Sequence, residues 1–367
     1  MKCKVKAKDI KKALKSINAI FTIDKTDQRA CELIVTEKNT SLHIAAAFAG
    51  MFVHRTIPVT VLRPGRIFCN MKDIESLPLK GNVIIDTNDD KMLISCGSSK
   101  WSFSVDVSAE SSIEAHKEDR KKVKTLAKMP VSLFQAATKT TEFRTQTGDQ
   151  ITQITIHNGN IEYVSRDYIS YGRYILNDDA IQAKTSLTVL IANSVLRLLL
   201  KDAGDGSITV GTNKDASLVS FKTKDMYVLC PCTTGNVVNI DDEVIKKCKA
   251  GEKTFSFVVS PAEIQKAIAA IMPIYKNEAE VALVARNGNM YMSAVGNNHS
   301  VNHKIDASEI DAHTTSPVTF NIEYVNEFVK AAPGGLETRI EVWNGMYLYL
   351  IMKTEAGMVD YMVVTQN

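Results

Sequence analysis

Apolar residues recur along this chain with two different periods, and the two alternate in a fixed order. Segments with apolar positions at i, i+3, i+4 and i+7 spacing, which predict helices, begin near Lys8 (KDIKKALKSINAIF), Met71 (MKDIESLPL), Val131 (VSLFQAATKTTEF), Ala192 (ANSVLRLLLKD), Pro261 (PAEIQKAIAAIMPIY) and Ile322 (IEYVNEFVKAAPG). They return at intervals of roughly 60 to 69 residues, the mark of an internal repeat. Between them the period drops to two. ELIVTEKNTSLHIAAA, TQITIHNGNIEYVSR and VALVARNGNMYMSAV follow the first, third and fifth helices, and longer strand-rich stretches follow the others. Asn158-Gly159, Asn287-Gly288 and Asn344-Gly345 sit between alternating β-formers, where the positive φ of tight hairpin turns is needed.

Six units of one helix plus several antiparallel strands make the chain α+β. Taken in pairs they predict three repeated domains, each of two helices on antiparallel sheets, at residues 1–122, 123–250 and 251–367. The charged stretches KEDRKKVK (117–124) and NIDDEVIKKCKAGE (239–252) are expected as the connections.

The first helix carries the sharpest local pattern. Ile10, Ala13, Leu14 and Ile17 form the apolar stripe, and Lys8, Lys11, Lys12 and Lys15 repeat its spacing two positions earlier. At roughly 100° per residue that offset places the lysines on the opposite face. A solvated lysine face is common on amphipathic helices, so this helix alone does not decide the matter. Arg197 and Lys201 are i, i+4 neighbours on the fourth helix, Lys139 lies on the third and Lys330 on the sixth. Lys266 on the fifth is accompanied by Glu263, and the second mixes Lys72 with Asp73 and Glu75. Lysine and arginine on a shared surface attract phosphate without reading sequence. Base reading would want Arg, Asn or Gln concentrated at a helix N-terminus, and these helices show no such concentration.

Composition sharpens this picture. The chain has 367 residues, 45% hydrophobic and 23% charged, enough for more than one core, and a net charge of only +3. Positive charge must therefore be concentrated locally if nucleic acid is the partner. The N-terminal stretch lacks an apolar signal region and no run suits a membrane span, so a cytoplasmic, membrane-free protein is expected. Seven cysteines without paired spacing point to reduced thiols. Cys230-Pro-Cys232, the only close pair in sequence, reads as small buried residues ending a strand. His299 and His303 lack partners at metal-site spacing, so no metal site is expected. No phosphate-cradling glycine loop, nucleophile elbow or zinc-protease signature occurs. The expectation is no catalysis and no cofactor, with an enzyme of unrecognised class as the rival.

The repeat, the opening K-x-x-V-x-A-K-D-I-x-K-A-L, the stretch RIFCNMKDIESLPLKGNVIIDTNDDKMLISCGSSKWSFSV and the ending GMVDYMVVTQN resemble the bacterial-type DNA sliding clamp, the processivity subunit of replicative DNA polymerases. The resemblance spans essentially the whole chain, carried by order and spacing. It implies three DNA-clamp domains per chain, closing as a homodimer into a ring around double-stranded DNA, with helices inside and a β-layer outside. It further implies a replicative DNA polymerase and a clamp loader as partners. The strand at 98–107 and one in the third domain would join the copies. The loop FRTQTGDQ (143–150) would place Arg144, Gln146 and Gln150 against DNA. SRDYISYGR (165–173) and YMVVTQN (361–367) would form a peptide groove, with Tyr168, Ile169, Tyr171, Val363, Val364 and Thr365 as its walls. The family's usual turn has Gly and Arg-Leu after its Asp, where this chain has Tyr168, Ile169 and Ser170. Its usual Met-Pro-Met ending is replaced here by Val364, Thr365 and Gln366. A divergent member encoded by a bacteriophage would account for these departures. A factor that binds DNA as an open monomer is the alternative within the same class of function.

Overall fold

A computed structural model describes residues 1–21, 29–36, 40–88, 90–139, 151–166, 170–202, 204–232, 245–275, 280–296, 299–331, 337–354 and 357–364. The chain opens with β1 (Lys2–Lys6), α1 (Ala7–Phe21), β2 (Ala30–Val35), β3 (Ser41–Phe48), β4 (Met51–Pro58), β5 (Thr60–Arg63) and β6 (Gly65–Asn70). Then come α2 (Met71–Glu75), β7 (Asn82–Asn88), β8 (Lys91–Cys96), β9 (Ser99–Ser104) and α3 (Glu110–Lys122). The middle third runs β10 (Lys124–Pro130), α4 (Val131–Lys139), β11 (Ile151–His157), β12 (Asn160–Arg166), β13 (Ser170–Asn177), β14 (Gln182–Ala183) and β15 (Leu187–Ala192). It continues with α5 (Asn193–Asp202), β16 (Ser207–Thr212), β17 (Leu218–Lys222), β18 (Met226–Pro231) and α6 (Lys246–Lys249). The last third holds β19 (Lys253–Val259), α7 (Pro261–Tyr275), β20 (Glu280–Arg286), β21 (Asn289–Val295), β22 (Ser300–Ile305), β23 (Ala307–Ala312) and β24 (Val318–Thr319). It ends with α8 (Ile322–Ala331), β25 (Glu337–Trp343), β26 (Tyr347–Thr354) and β27 (Gly357–Val364).

All six sequence-predicted helices form, and each starts within a residue of its expected position. Two of the three Asn-Gly pairs take the doubly positive φ of a primed turn: Asn287 and Gly288 at 49° and 69°, Asn344 and Gly345 at 55° and 62°. At 158–159 only Gly159 has positive φ, so that hairpin turns differently.

The strands pair throughout antiparallel in four sheets. Compact packing divides the chain into two units, the first of Met1–Phe134, Gln182–Thr185 and Ser194–Thr234, the second of Gln135–Ile181, Ser186–Asn193 and Gly235–Asn367. These units share the middle third between them and do not follow residues 122 and 250, the boundaries expected from the covalent repeat.

Each unit contains one nine-stranded sheet, and the two sheets are built alike. In the first the order is β14-β10-β16-β17-β18-β4-β3-β2-β6; in the second, read backwards, it is β23-β19-β25-β26-β27-β13-β12-β11-β15. Position by position the strands correspond. At the centre of each sheet is a seam where a strand that follows the second helix of one repeat pair meets a strand that follows the first helix of another. These seams are β18 against β4 and β27 against β13. The remaining sheets are β5-β1-β7-β8-β9 in the first unit and β22-β21-β20-β24 in the second. By the same correspondence β9 is equivalent to β18 and β27, and β22 to β4 and β13. Both β9 and β22 are sheet edges.

Each seam is covered by a helix that the sequence presented as a charged connection. In the first unit α3 lays Ile113 into a buried cluster with Ala45, Phe52, Phe68, Tyr227 and Leu229, and Arg120 stacks over the Tyr227 ring at 4.4 Å. In the second, Cys248 of α6 packs with Val164, Tyr171, Tyr349 and Met362, and Lys249 lies 4.1 Å over the Tyr349 ring. The stretches expected as connections, 117–124 and the described end of 239–252, thus include residues of helices that pack on the sheets. Apolar seams expose surface that a short amphipathic cover can remove from water.

The second seam also holds a buried ion pair in register. Arg173 of β13 faces Asp360 of β27, donating from Nε at 3.1 Å to both carboxylate oxygens, while the Tyr349 hydroxyl donates to Oδ2 at 3.1 Å. Asp360 is 1% exposed. At Gly357 a Cβ would collide with the Ile175 carbonyl oxygen, so glycine lets the two backbones close up. Removing one partner of a buried pair leaves the other charge uncompensated. Arg173→Met should therefore lower stability by about 3–5 kcal/mol in urea denaturation, and a loss below about 1 kcal/mol would show the pair to be solvated.

Candidate nucleic-acid interface

Helix α1 carries an apolar face and a basic face over residues 8–17. Ile10, Leu14 and Ile17 are 0% exposed and Ala13 1%, packed on β3 and β4 of the sheet beneath. Lys8, Lys12 and Lys15 are exposed and Lys11 half-buried. None of the four has a carboxylate partner among the described residues. Their i, i+4 spacing makes Lys8–Lys12 and Lys11–Lys15 like-charge pairs, each costing the helix about 0.2–0.5 kcal/mol. The buried stripe carries that cost. What remains is a cationic ridge of uncompensated ammonium groups, suited to a polyanion.

The other helices contribute unevenly. Lys266 on α7 is exposed but ion-paired with Glu263 one turn earlier, so its charge is already answered. Lys139 is the last residue of α4, Arg197 and Lys201 stand on α5, and Lys330 on α8; their side chains lie outside the described ones. The buried positions of α5, Val195, Leu196, Leu198 and Leu199, leave 197 and 201 off the core stripe. α2 closes against α1 through Asn18, which donates to Glu75 at 3.0 Å and accepts from Arg29 at 2.6 Å. Arg144, Gln146 and Gln150 fall outside the described residues.

Of the expected groove, Tyr168, Ile169 and Thr365 also lie outside the described residues. Val363 and Val364 end β27, where Val363 pairs with Ser170. Tyr171 is 3% exposed and packed among Val164, Tyr349 and Met362, so its ring is part of the seam's core and not an open wall.

Among the described residues no group of three or more His, Cys, Asp or Glu side chains is placed to hold a metal ion, and no helix is long and apolar enough to cross a membrane. Cys230 is buried, and burial pushes its thiol far above the usual range, as expected of a packing residue. A pairing that the sequence did not reveal is Cys31 with Cys69, opposed in register on β2 and β6 with sulfurs 3.7 Å apart. Both are free thiols.

No protein-family model and no curated protein sequence matches the chain. Solved structures do match. The DNA polymerase sliding clamp of Bacillus subtilis is similar at 15% identity with a TM-score of 0.79, over 100% of this chain and 99% of that one. The beta subunit from DNA polymerase of Streptococcus pyogenes is similar at 14% identity and TM-score 0.76, with both chains covered in full. The beta clamp of Helicobacter pylori is similar at 14% identity and TM-score 0.74, again over both full lengths. The fold of this chain is the fold of those clamps.

Proposed function

We propose that two copies of this chain close head to tail into a ring around double-stranded DNA and act as a sliding clamp, tethering a replicative DNA polymerase without catalysis of their own. One observation carries this reading. The five-stranded and four-stranded sheets hold, between them, the same succession of strands as each nine-stranded sheet, divided at the seam. Two seams are closed within the chain; the third would be closed by β9 of one copy against β22 of the other, and a second time around the dyad. A head-to-tail junction repeated by a twofold rotation closes into a ring of two. The proposed domains, 1–122, 123–250 and 251–367, are the segments between successive seam covers.

Burial at the two edges supports this. On β9 the core-facing Trp101 and Phe103 are only half-buried, and on β22 so are Val301 and His303. Val107 just beyond β9 and Val295 at the end of β21 are 57% and 64% exposed. Unpaired edges with aromatic, half-covered side chains are ones that proteins usually protect. A second copy protects them.

The DNA is held by enclosure and by loose phosphate attraction. Lys8, Lys11, Lys12 and Lys15 are assigned to the hole, with Lys139, Arg197, Lys201 and Lys330 from the corresponding helices and Arg144, Gln146 and Gln150 from the loop after α4; Lys266 would share it but contributes little while paired with Glu263. A polymerase and a clamp loader are proposed to dock a short peptide at Tyr168, Ile169, Val363, Val364 and Thr365, with Tyr171 supporting that groove from beneath. The setting would be the cytoplasm of a bacterial cell. Replacing Tyr168 and Ile169 with Ala and removing residues 365–367 should lower polymerase stimulation by about tenfold or more while leaving molecular mass unchanged. Undiminished stimulation would place the groove elsewhere.

The direct test of closure is molecular mass in solution. Sedimentation at micromolar concentration should give twice the 40.5 kDa chain mass. A monomer would contradict the ring and favour an open DNA-binding factor.

A further inference from the structure

The sheet face that α3 covers is not completely filled. Between α3 and β2, β3 and β4 of the first unit is a cavity of about 470 Å³, within the range typical of small-molecule sites. Its floor is apolar: Ile34, Ala45 and Phe52. Along one wall two imidazoles stack, His43 and His54, with ring centroids 5.2 Å apart and planes 9° from parallel. The opposite wall is the helix, with Lys117, Arg120 and Lys121 at i, i+3 and i+4 spacing.

The charges around this space do not cancel locally. Glu32 is 0% exposed, yet it is engaged by Arg66 and by Lys117, whose Nζ is 2.6 Å from Oε2. Lys121 reaches out to Glu118 at the surface. Arg120 has no carboxylate partner among the described residues; its contact is the Tyr227 ring. The imidazoles are tied to each other, His43 Nδ1 to His54 Nε2 at 3.2 Å, and His43 further to Ser41 and Thr56. His54 Nδ1 has no partner among the described residues. An arginine without a carboxylate partner among the described residues and an imidazole with a spare nitrogen therefore both line a space whose floor is apolar.

We infer that this cavity binds a small oxyanion carried on a flat apolar body, an aryl carboxylate or an aryl phosphate monoester, with the anion between Arg120 and His54 and the ring against the floor. The site is independent of ring closure. Burial, then His43, Arg120 and Lys117, depress the His54 imidazole to about 3, and burial, then Arg120, lowers His43. The titratable and polar groups around His54 are Tyr227 opposite it on β18, His43 from β3, and, lining the same space, Glu32 and Thr36 at β2 and Lys117, Arg120 and Lys121 from α3. Burial keeps the His54 ring neutral, so it can meet an anion as an Nδ1–H donor while Arg120 supplies the positive charge.

The test uses the full chain with benzoate and phenyl phosphate as probes, and with benzyl alcohol and inorganic phosphate as controls for ring and anion alone. Calorimetry should give dissociation constants at least about tenfold below both controls, with the imidazole resonances of His43 and His54 shifting on saturation. The tighter probe identifies carboxylate or phosphate as the natural group. Arg120→Gln should weaken binding by about tenfold or more, as expected for a hydrogen bond to a charged group. Should that variant fail to fold, His54→Phe serves instead; it removes the ring-nitrogen donor and should weaken binding by about tenfold. Absence of saturation by both probes, saturation that leaves the imidazole resonances unmoved, or unchanged binding in a folded Arg120→Gln chain would overturn the site.

Discussion

A chain carrying Trp101→Lys and Phe103→Lys should sediment as a folded monomer at micromolar concentrations where the parent is a dimer. Both aromatics lie on the core-facing side of β9, opposite Ile94 and Met92 of β8, and both are only half-buried in the isolated chain. In the proposed dimer they would be covered by β22 of the other copy. Each large apolar side chain fully removed from water contributes roughly 1.5–3 kcal/mol. Losing two partial burials and placing two ammonium groups in the seam should weaken association by at least about 3 kcal/mol, more than a hundredfold in dissociation constant. Lysine on an edge strand is also the residue that discourages strand addition. The monomer should keep its circular dichroism spectrum, because a half-exposed lysine can reach water from that edge. A dimer that survives both substitutions would exclude β9 from the junction.

The second large effect is expected on DNA retention. Replacing Lys8, Lys11, Lys12 and Lys15 together with Glu should leave the dimer intact and cut retention on circular DNA severely at low salt. The substituted side chains are not in the core, and α1 already tolerates a like-charged face, so stability should move by no more than about 1 kcal/mol. Glutamate near the helix N-terminus is the better match to the helix dipole. Each lysine that meets a phosphate contributes about 0.9 to the slope of log affinity against log salt. The parent should lose retention steeply with salt, and the variant should show a slope lower by as much as that amount per lysine. Equal retention and an equal slope would remove this ridge from the interface.

How far the sequence foretold these features depends on the distance over which each signal acts. The helices were legible because their apolar stripes are local. Ile10, Ala13, Leu14 and Ile17 fix the buried face of α1, and the lysine ridge follows from the same rotation. The hairpins at Asn287-Gly288 and Asn344-Gly345 were legible for the same reason. α3 was not, because Ile113 is its one buried residue, and a helix with so little apolar content reads as a solvated linker. Its signal lay in charge spacing: Glu114–Lys117, Glu118–Lys121 and Asp119–Lys122 are all i, i+3 ion pairs. The seams left no local trace. Arg173 and Asp360 are 187 positions apart, and each alone looks like a polar residue in a strand. That β9 and β22 are the unpaired equivalents of joined strands emerges only once the order of the other two sheets is known. On the basic side, Lys266 was legible as a cation but its neutralisation by Glu263 depends on rotamers. Tyr171 was expected as a groove wall and is buried among Cys248 of α6 and Tyr349 and Met362 of the C-terminal strands, contacts from positions far along the chain.

The central claim is that DNA passes through a closed ring and is held by topology. The protein should be loaded onto a nicked circular duplex, freed of unbound material, and the circle then cut once at a site far from the nick. The account predicts that the protein remains with the intact circle at moderate salt and leaves by sliding off the ends once it is linear. Equal loss from circle and linear molecule, or equal persistence on both, would contradict it.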